Sequence, residues 1–446
     1  MVKLHNPPSM QWELTAECNH NCTHCYNYWR KDFGKIDGLS RSKSKEEYLE
    51  IAAKIVELHP VSVTLTGGEP LLVFNKIRDT ILYLKKNGIN VTVNTNASLL
   101  TDEICEFFVE NHIPLFVSFI CSDADTFDKI SNVTNSQSRV IRGLDRAYEH
   151  GVTFNCNIVV SKLNIDRLAD TIDFLMRRYK PSYISVTRTG KPINSDETFN
   201  SLMLTHDDLA RVLDIVTSKM DQYPGLTIGT ACPYTPCSLT TQKAFDAYAY
   251  QKICTAGKTS FSIDTDGNFK ACPRDSRFYG NIMEDDFDTV YERMHEWRDG
   301  SFAPEECKNC KEYSRCLSGC RVDSIPFTGK SNCLDTISDP SNASKLRKTA
   351  AARKNYDGYT FSLSNNVSTV TNDSNSIRLS NGKRYVFVTK TLYDFLMNNS
   401  MFTNTSLRTA FISDDSSSND TDIIINNVIA RLLNEHIIDY THMERG

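Results

Sequence analysis

A chain of 446 residues with 40% hydrophobic and 24% charged residues has the balance of a globular protein, long enough for a large core and one or two smaller modules. A net charge of −5 gives no electrostatic reason to expect nucleic acid, and no apolar run is long enough to cross a bilayer. The opening MVKLHNPPSMQWEL lacks the charged-then-apolar order of a secretory signal, so the expected location is the cytoplasm, with no membrane partner.

Between about residue 10 and residue 225, short β-branched runs alternate with amphipathic stretches. Strands are predicted at 62–66, 89–94, 115–119, 153–160 and 183–187, and helices at 44–58, 76–87, 102–111, 140–150 and 165–179. Asn75, Thr101 and Asn164 stand where helix N-caps are wanted. Repeated strand–helix units predict an α/β fold with a parallel sheet, either a barrel or a doubly wound sheet. Residues 1–225 are therefore read as one domain and 226–253 as a linker.

Residues 254–337 form a different kind of segment, frequent in cysteine, glycine and charge and poor in apolar periodicity. Such a stretch does not readily bury a core of its own, and bound metal is the natural means of ordering it. The remainder, 338–446, reads as a small α+β domain. Short strands are predicted at 359–363, 368–371 and 385–389, helices at 392–397 and 423–438, and a mobile loop at 414–420. No internal repeat is present.

The chain has fifteen cysteines. In a reducing compartment these are metal ligands or reactive thiols sooner than a disulfide framework. Cys105, Cys121 and Cys156 are scattered singly and read as small buried apolar residues. Three others cluster as Cys18-Asn-His-Asn-Cys22-Thr-His-Cys25-Tyr26. Three thiolates this close hold three irons of a cubane and leave the fourth open, which is what catalysis requires of a metal site. The competing reading is a zinc loop with His20 or His24 as fourth ligand.

The C-x3-C-x2-C spacing followed by an aromatic residue resembles the radical S-adenosylmethionine (AdoMet) superfamily. The resemblance implies a partial (β/α)6 TIM-like barrel and catalytic roles for Cys18, Cys22 and Cys25 as ligands of a [4Fe–4S] cluster. In that family the open iron chelates AdoMet, and reductive cleavage yields a radical that abstracts a substrate hydrogen atom. Gly67-Gly68-Glu69-Pro70, at the end of a predicted strand, is similar to the family motif that binds the AdoMet amino group. Two glycines let backbone approach a ligand closely, and Glu69 can accept hydrogen bonds from a cationic amine. Asn94, Ser118, Asn157 and Arg188 are the further AdoMet-pocket residues that the resemblance implies, with Ala97 standing where relatives have glycine.

The second array runs Cys254-x12-Gly267-x4-Cys272, then Cys307-x2-Cys310-x5-Cys316-x3-Cys320, and finally Cys333. This order resembles the SPASM domain, an auxiliary iron–sulfur module. By family pattern Cys307, Cys310, Cys316 and Cys333 hold one [4Fe–4S] cluster, and Cys254, Cys272 and Cys320 hold another that is one thiolate short. Cys237 is favoured as the missing ligand; Cys232 or an open iron are the alternatives. Three clusters and AdoMet are thus expected as cofactors. Two zinc ribbons are the rival reading.

Relatives of this kind act on peptides. The expected substrate is a ribosomally made precursor peptide, with an external electron donor such as flavodoxin or ferredoxin. The preferred chemistry is a C–C or ether cyclophane crosslink of the triceptide or darobactin type. Thioether formation, formylglycine formation and epimerisation stay open, as does a non-catalytic scaffold. Pro273 replaces the aspartate usual in sulfatase maturases, which disfavours that branch. Arg274, Asp275 and Tyr279 are candidates for the general base, and the last hundred residues look like a winged-helix module that grips leader peptides by strand addition.

Overall fold

A computed structural model describes residues 3–27, 42–193, 195, 197–342, 345–346, 356, 359–373, 375–382, 384–411 and 418–442. Its centre is a sheet whose strands follow chain order. Strands β1 (Ser9–Thr15), β2 (Ser62–Gly67), β3 (Asn90–Thr95), β4 (Leu115–Ser118), β5 (Phe154–Val160), β6 (Tyr183–Arg188) and β7 (Thr227–Gly229) are all parallel. Between them lie α1 (Lys45–Glu57), α2 (Phe74–Lys86), α3 (Asp102–Glu110), α4 (Ala124–Ser131), α5 (Ser136–Glu149), α6 (Leu168–Arg178) and α7 (His206–Gln222). This is the partial barrel of β/α units that the sequence predicts.

The pattern of side chains explains the curvature and what it encloses. In β5 the buried residues Phe154, Cys156, Ile158 and Val160 alternate with half-buried Asn155, Asn157 and Val159. In β3 buried Val91 and Val93 alternate with half-buried Thr92 and Asn94. One face therefore packs under helices while the other keeps polar groups for an interior. The covering helices match: Tyr48, Ile51, Ala52 and Ile55 of α1, like Val140, Gly143, Leu144 and Ala147 of α5, repeat every three and four residues and are buried. Ser44 and Glu47 close a capping box at the start of α1, and Thr101 caps α3 as expected.

Neither asparagine caps a helix with its side chain, although Asn164 stands at the N-cap position before Ile165. Helix α2 begins at Phe74, so Asn75 lies inside its first turn. Asn164 accepts from Ser161 N at 2.8 Å and donates to the carbonyls of Ile120 and Val159, tying the ends of β4 and β5 together. Long-range backbone demand outweighs the local capping preference here.

The segment expected as a linker carries β7 and α8 (Gln242–Tyr248), so it extends the barrel. The cysteine-rich segment is also less separate than its composition suggests. Its first strand, β8 (Ser260–Ile263), runs parallel beside β1, and β9 (Phe269–Lys270) pairs antiparallel with β8. Phe261, Ile263 and Phe269 join the barrel's own core, followed by Phe287 and Tyr291 of α9 (Phe287–Arg293). Beyond α9 only single turns remain: α10 (Glu305–Lys308), α11 (Tyr313–Cys316) and α12 (Ile325–Thr328).

The C-terminal part has a second, separate core around Phe361, Leu379, Leu396, Leu407 and Ile429. Strand β10 (Tyr359–Leu363) will pair with β14 and β15; β11 (Ser368–Asp373), β12 (Ser376–Ser380) and β13 (Tyr385–Thr389) form an antiparallel meander. Helix α13 (Lys390–Asn398), β14 (Phe402–Thr403), α14 (Asn404–Phe411), α15 (Ser418–Asn434) and β15 (Ile438–His442) complete it. Strand β12 and helix α14 were not predicted. Of the expected mobile loop, residues 414–417 lie outside the described residues and Ser418 onward belongs to α15. This module rests on the N-terminal ends of the barrel strands: Asn372 exchanges hydrogen bonds with Lys3 and His5, and buried Arg378 donates to the His59 carbonyl. No described helix is long and apolar enough to cross a membrane.

Candidate active site

The first cysteine loop leaves the C-terminal end of β1 and is pinned on two sides. Asn21 N and Thr23 N donate to the carbonyls of Ser131 and Ile130 at 2.9 and 2.8 Å, so the last turn of α4 holds it from one side. On the other, Gly68 N donates to Thr15 O at 2.6 Å and Glu69 N to Glu17 O at 2.8 Å. A Cβ at Gly68 would sit 1.8 Å from Glu17 O, and Gly67 has φ +122° with its absent Cβ 2.5 Å from Thr15 O. The glycine pair thus lets β2 close on the backbone that carries Cys18. The sequence reading assigned these glycines to approach of a ligand; the neighbour they admit is the chain itself.

Glu69 is buried and oriented by three donors. Its Oε1 accepts from Thr95 Oγ1 at 2.7 Å and Leu71 N at 3.1 Å, and its Oε2 from Asn96 N at 2.8 Å. Asn96 and Ser98 also grip Asn19 in the cysteine loop, at 2.8 Å each. The C-terminal ends of β1, β2 and β3 are thereby locked into one polar network. Beside it, Asn94 donates to Thr66 Oγ1, while its Oδ1 is buried with no donor among the described residues. Such an acceptor is costly to leave unpaired, and an ammonium group would satisfy it. Ala97 takes φ +64°, so it adopts the left-handed backbone of the glycine it replaces. Burial pushes His20 and His24 down to about 4, which keeps both imidazoles neutral at pH 7.

Ser118 and Asn157 are register partners on β4 and β5, and Asn157 Oδ1 accepts from Thr187 Oγ1 at 2.9 Å. Arg188 goes elsewhere. From the end of β6 it reaches Asp323 and Asp335 in the cysteine-rich segment, fully buried. Burial by itself would lower its pKa, but the two carboxylates outweigh that and hold it raised. Asp323 also pairs with Arg274 at 2.5 Å, and Arg274 Nη1 lies 3.8 Å from Cys320 Sγ. Two arginines and two aspartates thus bolt the second cysteine array to the barrel.

Within that array the thiols fall into two groups. Cys237 does not join Cys254, Cys272 and Cys320 as expected. It lines a small hollow together with Cys307, Cys310 and Cys316. Cys232 instead lies near Cys320, and Arg274 stands near Cys232, Cys320 and Cys272, with Cys254 near Cys272. Leu317, Ser318 and Gly319 all take positive φ (54°, 63° and 73°), and Ser318 N and Gly319 N point at the Cys316 sulfur. Two non-glycine residues in this conformation cost about 1–2 kcal/mol each. The strain is intelligible where that sulfur is an anion. Burial pushes the Cys272 and Cys316 thiols up to about 12, so a bound cation is what would hold them as thiolates.

Of the proposed general bases, Arg274 is taken by Asp323. Asp275 is chelated by Arg277 at 3.0–3.2 Å and faces Tyr279 OH at 3.4 Å. Asp275 and Arg277 line a cleft of about 560 Å³ that also includes Phe302 and Lys330.

A family model described as the Radical SAM superfamily matches residues 12–175, and one for SPASM, an iron-sulfur cluster-binding domain, matches residues 254–311. The barrel carries a radical SAM domain and the cysteine-rich segment a SPASM domain. The chain is 26% identical over 335 residues to the mycofactocin maturase MftC of Mycolicibacterium smegmatis, covering 73% of this chain and 81% of that protein. It is 26% identical over 349 residues to the AdoMet-dependent heme synthase of Methanosarcina barkeri, covering 74% and 95%. Among solved structures, Streptococcus suis SuiB bound to precursor peptide SuiA superposes with a TM-score of 0.57 at 19% identity, over 76% of each chain, a likeness of fold.

As a radical SAM enzyme the chain offers a donor set that fits its cofactors. Cys18, Cys22 and Cys25 sit on a loop whose backbone is fixed at four points, and soft thiolates suit iron. Glu69 and the Asn94 oxygen present acceptors beside it for the amine of AdoMet. Among the described residues no three His, Cys, Asp or Glu close to single-ion spacing. Sequence reasoning missed Asn19, the end of α4 and the aspartates Asp323 and Asp335. Only the last two carry a visible signal, each being an acidic residue just beyond a cysteine of the array.

Proposed function

We propose that this radical SAM enzyme is a peptide maturase that removes a hydrogen atom from a side chain of a ribosomally made precursor peptide and forms a C–C or ether crosslink. The observation that carries the reading is the interlock of the Cys18–Cys25 loop with the Gly67-Gly68 turn and the Glu69 network. The name of MftC and the SuiB–SuiA complex support a peptide as substrate. The separately cored C-terminal module, with sheets open at their edges, supports leader binding by strand addition.

Bound iron–sulfur clusters and AdoMet would supply electron transfer and the acceptor for the hydrogen atom. In this reading Cys18, Cys22 and Cys25 hold the catalytic cluster, and the second array holds two auxiliary ones. Glu69 and Asn94 orient the AdoMet amine, and Ser118 and Asn157 line the pocket beyond it. The substrate gives up one hydrogen atom, then one electron and one proton as two side chains join. Auxiliary clusters held by the second array would supply a path for that electron towards a carrier such as flavodoxin or ferredoxin.

The test is anaerobic turnover with reduced flavodoxin and a short peptide encoded beside this gene. Formation of 5′-deoxyadenosine together with peptide lighter by two hydrogen atoms is expected. Substituting Cys18, Cys22 and Cys25 by alanine abolishes both. Failure of the native chain to cleave AdoMet would favour the scaffold reading. Cleavage coupled to a porphyrin and to no peptide would favour the second reading, that of a small-molecule enzyme like the heme synthase relative.

A further inference from the structure

We infer that Arg274 is a redox-tuning residue: its guanidinium donates to the Cys320 sulfur and raises the midpoint potential of the auxiliary cluster that Cys320 ligates. The inference rests on reading the second array as iron–sulfur ligands. It gives a task to a side chain that the sequence offers only as a candidate general base.

The contact is held from both ends. Arg274 stands two residues beyond Cys272, in a turn closed by Asp275 N, which donates to Cys272 O at 2.9 Å. From that turn its side chain runs to Cys320, and Nη1 lies 3.8 Å from Cys320 Sγ. The other terminal nitrogen is fixed by two acceptors. Nη2 lies 2.5 Å from Asp323 Oδ1 and donates to the Lys191 carbonyl at 3.3 Å. A guanidinium is planar and rigid, so fixing Nη2 fixes where the Nη1 hydrogens point. With a side chain only 12% exposed, this donor is shielded from competing water.

Gly190, just past the end of β6, supplies the seat. A Cβ there would sit 2.2 Å from Nη2, 2.6 Å from Cζ and 2.7 Å from Nη1 of Arg274. Any side chain at 190 therefore displaces the guanidinium from its place beside Cys320. Cys320 is fixed as well, its backbone N donating to Asp335 Oδ2 at 2.7 Å. Arg188 pairs with both Asp323 and Asp335. One aspartate thus holds the donor, the other holds the cysteine, and a barrel arginine ties the two together.

The redox consequence follows from charge. Reduction adds one electron to a cluster and places more negative charge on its sulfur ligands. A donor at a ligand sulfur therefore stabilises the reduced state more than the oxidised one, and the potential rises. A cationic donor is about twice as effective as a neutral one. In the proposed reaction the substrate radical loses one electron as the new bond forms, and a cluster of raised potential is the better acceptor for it.

The experiment uses the full chain with Cys18, Cys22 and Cys25 replaced by alanine, so that only auxiliary clusters remain. Reductive titration followed by EPR gives the midpoint of each cluster, and iron and sulfide are counted. Arg274→Gln removes the cationic donor while Asp323 keeps Arg188. It is expected to hold its iron and to shift one reduction equilibrium about tenfold, a fall of about 59 mV for one electron. The other midpoint stays where it is. Gly190→Ala keeps every charged group but displaces the guanidinium, and a smaller fall at the same cluster is expected. An unchanged midpoint in either variant that holds its iron, or an equal fall in both clusters, would overturn the inference while leaving the iron–sulfur reading in place. A parent protein that binds no auxiliary iron would overturn both.

Discussion

Nη2 of Arg188 lies 2.9 Å from both carboxylate oxygens of Asp335, joining the end of β6 to a residue two positions beyond Cys333. Asp335 Oδ2 in turn accepts from Cys320 N at 2.7 Å. A barrel residue and a cysteine of the auxiliary array thus meet on one carboxylate.

Replacing Arg188 by Met would leave Asp335 buried without its ion-pair partner, while Asp323 keeps Arg274. Removing one partner of a buried ion pair costs about 3–5 kcal/mol. The expected result is a lower thermal midpoint and loss of auxiliary iron, with iron retained at Cys18, Cys22 and Cys25. If AdoMet affinity changed while midpoint and iron content did not, Arg188 would belong to the AdoMet pocket after all.

Glu69→Gln keeps the shape of the side chain but removes its charge and turns an amide NH2 towards one of its donors. A hydrogen bond to a charged group contributes about 1.5–3 kcal/mol, so AdoMet binding should weaken about 10- to 100-fold. Equilibrium dialysis of the reconstituted enzyme measures this. Unchanged affinity would mean that Glu69 only braces β3.

Gly68→Ala forces a methyl group into the Glu17 carbonyl, so the cysteine loop must move away from β2. A displacement of about 1 Å at reacting groups costs about 100-fold in rate. Reductive AdoMet cleavage without peptide should fall by that order. Gly88→Ala, where the added Cβ meets nothing within 4 Å, leaves the rate unchanged.

Asp145 supplies a pH-dependent contact on the outer helices. The Arg178 guanidinium, bound at 2.7 Å through two nitrogens, and the Tyr179 hydroxyl at 2.8 Å hold its carboxyl below the usual range. A depressed carboxyl stabilises the fold above its unfolded pKa of about 3.9 and loses that contribution as pH falls through the folded value. Half-exposed Arg178 limits the effect to about 1 kcal/mol. Denaturant unfolding should show Asp145→Asn less stable than the parent at pH 7, with the gap closing as pH falls below about 4.

Much of the barrel was legible because its signals are local. The alternation in β5 and the three-and-four spacing in α1 and α5 are imposed by covalent geometry, so each segment announces its own conformation. Thr101 was legible for the same reason. Asn164 was not, since its partners Ile120 and Val159 lie on two strands that only the closed sheet brings together. Strand β8 was not legible because its parallel partner β1 lies about 250 residues earlier.

Cysteine spacing and the Gly67-Gly68-Glu69-Pro70 motif determined the family, for ligand spacing is a short-range property that survives without any knowledge of packing. Which thiol faces which is a long-range property. Cys232 and Cys237 stand five residues apart in the sequence, and only the folded chain places Cys232 near Cys320 and Cys237 in the hollow with Cys307, Cys310 and Cys316. Likewise Arg188 ends a strand as an AdoMet-pocket residue would, and only the folded array brings Asp323 and Asp335 to it. Local covalent rules wrote the elements and the ligand types; burial of charge and backbone close-packing between distant segments decided how those ligands are grouped.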